Sequence, residues 1–202
     1  MRQGQTFGRK GQKALALAVA LCVLPSCALL KRPEAPRQTY ELTAPDSFAT
    51  AGGTRSQLLV KVPNALKGLD SDRVLVKADD GSISLLAGVQ WVDTIPAMVQ
   101  AKLVESFENT GRAGATAKPG DGLVIDHQLI SDLRRFEIDR GRAVIELSIK
   151  LLADKSGQVL ETRIFTATAP VRGTEPGDNA RALTRAFESL AKDVVAWVFA
   201  EV

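Results

Sequence analysis

Histidine occurs once and cysteine twice in the 202 residues, and that scarcity removes much chemistry at the outset. A lone histidine, His127, with no second histidine and no free thiol, does not make up the usual zinc set of nitrogen and sulfur donors. It shares its strand face with Leu123, Ile125 and Leu129, while Asp126 and Gln128 point the other way. It reads as a half-buried structural residue rather than a general base. The serines, Ser131 beside Asp132 among them, therefore have no base partner for a nucleophilic triad. Paired carboxylates are confined to turns, Asp79-Asp80 and Asp70/Asp72, where solvated loop residues rather than a glycosidase pair are expected. The glycine clusters, Gly52-Gly53 and Gly111 to Gly114, lack the Lys-Ser/Thr ending of a phosphate loop. No catalytic residue, metal site or bound cofactor is expected.

Long apolar runs are almost as rare. The longest, Ala14 to Leu24, is 11 residues, whereas a helix needs roughly 20 to cross the hydrocarbon core. A basic leader of Arg2, Arg9, Lys10 and Lys13 precedes it, and Leu24-Pro25-Ser26-Cys27 closes it. Basic start, short apolar core and small residue at the end are the layout of a secretory signal. Leu24-Pro25-Ser26-Cys27 resembles the lipobox of bacterial lipoproteins, with Pro25 in place of the commoner small residue. That resemblance implies cleavage between Ser26 and Cys27, with diacylglycerol and N-acyl chains, palmitate among them, on Cys27. Residues 1–26 are the expected signal peptide, and Cys22 leaves with it. The mature chain then has no free thiol and no disulfide, and its net charge falls from +3 to about −1. The basicity belongs to the leader, so nothing points to nucleic acid.

From Cys27 to Gln38, Pro33, Pro36 and mixed charge without apolar periodicity mark a tether of about 35 Å reach at most. A single domain, 39–202, follows. Thr39 to Leu42 and Gln57 to Val62 read as strands, and Lys67 to Asp70 as a turn or one-turn helix. Arg73 to Lys77 and Ser82 to Leu85 read as a hairpin across Asp79-Asp80-Gly81. Trp91 leads into a helix with Asp93 or Thr94 at its cap and Pro96 in its first turn. Ile95, Met98, Val99, Leu103 and Phe107 line one face of it. A short strand falls around Arg112 to Ala117.

Three long strands in meander order come next. In the first, Leu123, Ile125, His127, Leu129 and Leu133 occupy odd positions but Phe136 and Ile138 even ones, so a bulge near Arg134-Arg135 is expected. Ala143 to Leu151 alternates cleanly, and Val159 to Val171 is the third strand. A final helix capped by Asp178 carries an apolar stripe of Leu183, Phe187, Leu190, Ala191, Val194, Trp197 and Val198. The expected class is α+β, a two-layer sandwich with a mainly antiparallel sheet and two long helices on one face.

Two groups of residues offer surfaces to a partner. Trp91, Ile95 and Pro96 would form a docking edge if exposed, the plainer reading being core. Arg134, Arg135, Arg140 and Arg142 gather near one hairpin and would meet lipid headgroups or an acidic partner, the plainer reading being a solvated strand end.

The lipid cysteine, the proline-bearing tether, Tyr40-Glu41-Leu42, Trp91 before Ile95-Pro96, the long meander and the Trp197-bearing final helix together resemble the ABC-type transport auxiliary lipoproteins. Members of that family often carry arginine before the tryptophan, where this chain has Gln90. The resemblance implies a non-enzymatic, lipid-anchored component on the periplasmic face of the outer membrane, able to form homo-oligomers. Its partners would be a mammalian-cell-entry-domain protein and an ABC permease and ATPase, in a system moving lipid between membranes. Ala28, where an inner-membrane retention signal would place Asp, agrees with the outer membrane. The competing expectations are an outer-membrane assembly or structural lipoprotein and a cell-envelope hydrolase.

Overall fold

The computed structural model describes residues 37–48 and 53–202. The signal peptide, Cys22, Cys27 and the tether up to residue 36 lie outside the described residues.

The organising element is β7 (His127–Asp139), whose 13 residues pair along both edges. On one side it runs antiparallel to β8 (Arg142–Ala153), which runs antiparallel to β9 (Val159–Pro170). This is the expected meander. On the other side three short strands lie end to end along β7, all parallel to it: β2 (Gln57–Val60), β3 (Asn64–Ala65) and β4 (Arg73–Lys77). Pro63 lacks the N–H that would continue the ladder, so β2 and β3 are separate strands. β4 forms the hairpin with β5 (Ile83–Trp91), and β5 takes β1 (Gln38–Tyr40) in parallel. β6 (Ala115–Ala117) runs parallel to β2. The sheet is therefore an open, mixed nine-stranded sheet in an α+β fold, antiparallel along its long strands and parallel where the short ones join.

The β4–β5 turn has the chemistry its sequence implies. Gly81 takes φ +85°, a region that costs glycine little, and the Asp80 carboxylate accepts from the Ser82 amide at 2.9 Å. The Ser82 hydroxyl first, and then this amide, hold Asp80 below its ordinary carboxylate value. β5 continues past Leu85 to Trp91, and its register against β4 is irregular around Gly88, which takes φ +75°. The bulge in β7 is present. Register passes from Leu133 opposite Leu147 to Arg135 opposite Glu146, leaving Arg134 as the extra residue. Upstream, Leu123 and Val124 are exposed and precede the strand, which begins at His127.

Helix α1 (Ile95–Asn109) and helix α2 (Pro176–Glu201) touch each other and the sheet. In α1, Ile95, Met98, Val99, Leu103 and Phe107 are each 3 % exposed or less. The α2 stripe joins the same core, where Trp197 meets Phe165 at 5.4 Å and Phe199 meets Phe107 at 5.9 Å between ring centroids. α2 starts at Pro176, two residues before Asp178. Asp178 is thus the third helical residue, and its carboxylate accepts from the Glu175 amide at 2.9 Å, the acidic half of a capping box. Its ion pair with Arg181 at 2.7 Å, helped by the Glu175 amide, holds it below the ordinary carboxylate value.

Candidate partner-binding surface

Trp91 ends β5 at the point where several segments meet. Its amide donates to Asp72 O at 2.7 Å, the Val92 amide to Tyr40 O at 2.9 Å, and the Ile95 amide to Ser71 O at 2.9 Å. The indole packs edge-on to Phe136 at 5.8 Å. Trp91 is 1 % and Ile95 0 % exposed, and Pro96 is buried. These three side chains are core, and the exposed residue at this corner is Val92. Nearby, Lys102 bridges Glu41 and Glu105, each at 2.8 Å. Burial opposes its charge, but the Glu105 and Glu41 carboxylates outweigh burial and raise its pKa above the ordinary lysine value.

The four arginines do not form one patch. Arg134, at the bulge, is about 20 Å along the strand from Arg140 at roughly 3.3 Å per residue. Each has its own partner. Arg134 reaches Glu146 at 3.5 Å, Arg140 pairs with Asp79 at 3.0 Å, and Arg142 donates to Thr168 Oγ1 at 2.8 Å. Arg135 is gripped hardest, by Glu137 at 2.7 Å and Asp139 at 2.6 Å. Burial works against its charge, yet Glu137 and Asp139 outweigh burial and hold the guanidinium above its ordinary value. Glu137 is only 6 % exposed, so Arg135 is tied into the sheet face.

His127 is half-buried, and its Nδ1 has no hydrogen-bond partner. Among the described residues no group of three or more His, Cys, Asp or Glu side chains is arranged to hold a metal ion. No helix among them is long and apolar enough to cross a membrane.

Two surface features carry no sequence signal of their own. Tyr40 seats on the first turn of α2 so closely that a Cβ on Gly177 would lie 2.0 Å from its hydroxyl. This fixes glycine there and ties β1 to α2. The second is an open groove of about 570 Å³ between β9 and the last turns of α2. Neither was legible beforehand, because each joins segments remote in sequence.

These features define an α+β module with an open sheet, in which the sequence-derived docking residues serve mainly to hold strands and helices together. Residues 40–195 match the model of the family described as ABC-type transport auxiliary lipoprotein component. The chain belongs to that family. A protein from Xanthomonas campestris, known from a crystal structure, is similar at 29 % identity and TM-score 0.76, over 81 % of this chain and 95 % of that one. A crystal structure of an uncharacterized protein shares the fold at TM-score 0.63 and 14 % identity, over 81 % of this chain and 99 % of that one. An uncharacterized protein of Bradyrhizobium diazoefficiens is 34 % identical over 162 residues, which are 79 % of this chain. The match spans only 44 % of that relative's length.

Proposed function

We propose that the mature protein is held by lipid on Cys27 at the periplasmic face of the outer membrane. There it serves, without catalysing a reaction, as the auxiliary component of an ABC-type system moving lipid between membranes. It docks or seals the conduit at the outer membrane, against a mammalian-cell-entry-domain protein whose permease and ATPase supply the drive. The observation that carries this reading is the joining of two features in one chain. A lipid-attachment motif ending at Cys27 stands 13 residues before the family match begins at Tyr40. The anchor fixes location, and the sheet and two helices provide a rigid docking body. A single acyl chain binds reversibly, whereas the several chains of a lipoprotein hold durably.

Membrane fractionation of cells labelled with a clickable palmitate analogue tests the anchor. Wild-type protein is expected to take up label and to sediment with the outer membrane. Cys27→Ala is expected to lose the label and to accumulate as an uncleaved precursor in the inner membrane. Equal outer-membrane recovery of both forms, without label on either, would remove the anchor from the account.

A further inference from the structure

Among the described residues β9 has one strand neighbour, β8, and its other edge is unpaired. Natural sheets guard such edges with bulges, prolines and outward charges, because an unpaired row of N–H and C=O groups accepts another strand. In β9 the guards stand at the ends. Leu160 is an extra residue, the register passing from Leu151 opposite Glu161 to Leu152 opposite Val159, and Pro170 closes the far end. Between Thr162 and Ala169 the single charge is Arg163, and its guanidinium lies over the Phe165 ring at 5.3 Å from the centroid.

Beside this unguarded stretch runs the groove of about 570 Å³ lined by Arg163 to Thr166 and by Asp193, Ala196, Trp197, Ala200 and Glu201. Its floor is the Phe165–Trp197 pair, and Ala196 and Ala200 leave room above it. Its rim is acidic. Asp193 and Glu201 are exposed and make no ion pair among the described residues. Glu201 also ends α2, where the free carbonyls add negative potential. The two carboxylates stand eight positions apart, about 12 Å along a helix. Two side-chain repeats on one face of a strand cover a similar length, about 13 Å.

We propose that the open edge of β9 accepts an extended segment of a partner protein, paired backbone to backbone. On the helix side, the added strand presents an apolar residue to Phe165 and Trp197, and lysine or arginine to Asp193 and Glu201. Edge pairing supplies affinity, and the groove with its acidic rim selects the sequence. This stands apart from the transport reading, because the captured segment is judged by its own sequence, whatever protein carries it.

The test uses the full-length protein in its native cells, with p-benzoylphenylalanine in place of the exposed Ile164 or Thr166. After irradiation the crosslinked peptide is sequenced by mass spectrometry. The expected product is one stretch of another protein that alternates apolar with other residues and carries Lys or Arg. Its yield should fall about tenfold in Asp193→Lys/Glu201→Lys, with the thermal melt unchanged. Crosslinks no stronger than from a control probe at Lys118 would overturn the proposal. So would crosslinks to lipid or to a second copy of this chain, or a yield indifferent to the charge reversal.

Discussion

Trp91→Ala is expected to lower folding stability by about 3–5 kcal/mol, the usual cost of emptying a large aromatic site in a core. The indole is 1 % exposed and stacks edge-on to Phe136. The Trp91 amide donates to Asp72 O in the segment that leads into β4, and the neighbouring Ser71 O accepts from the Ile95 amide at the start of α1, so the cavity would loosen both the sheet and the helix entry. The indole Nε1 is buried without a hydrogen-bond partner. Trp91→Phe therefore gives up packing volume but no hydrogen bond, and its expected cost is below about 2 kcal/mol. Urea denaturation of the purified protein measures both. If Trp91→Ala kept wild-type stability while partner capture failed, the residue would be an interface anchor and not a core residue.

Arg135→Ala is expected to cost about 2–4 kcal/mol, less than for a fully buried ion pair because the arginine retains some solvent contact. The reason is what remains: Glu137, 6 % exposed, would keep its charge inside the sheet face with no cation beside it. Arg135→Ala/Glu137→Gln should recover most of the loss, since it removes the stranded charge along with its partner. Arg134→Ala and Arg140→Ala, whose pairs are far more exposed, should stay within about 1 kcal/mol of wild type. The contrast between neighbouring arginines is the measurable point, read from chemical denaturation midpoints. Equal small effects at all of them would mean that Glu137 is well solvated.

The parts of the fold legible in the sequence are those with local causes. Asp80-Gly81 announced the β4–β5 turn, the period of Ile95 to Phe107 announced α1, and the change of phase between Leu133 and Phe136 announced the bulge. The parallel half of the sheet had no such cause. Leu58 pairs with His127 and Leu75 with Glu137, across some sixty residues or more, and strands of two to five residues leave little periodicity. Ile125 continued the alternation of β7 without belonging to it. Trp91 was ambiguous for a related reason: an aromatic at the end of a strand suits both a core and an interface, and only the packing of Phe136 against it decides. The arginines were close in sequence, but strand geometry separates Arg134 from Arg140, and their partners, Glu146 and Asp79, lie outside that stretch. The β9 groove depends on Phe165 and Trp197 meeting across 31 intervening residues, which no local pattern signals.

In the proposed function a lipid anchor presents this domain to a transport partner. The most direct measurement is in-cell crosslinking of the lipidated protein, followed by pull-down from native membranes and mass spectrometry, with Cys27→Ala in parallel. A mammalian-cell-entry-domain protein is expected to be recovered with wild type and lost with Cys27→Ala. Recovery of peptidoglycan or barrel-assembly components alone, with no transporter part, would contradict the proposed function and make the protein a structural or assembly lipoprotein of the envelope.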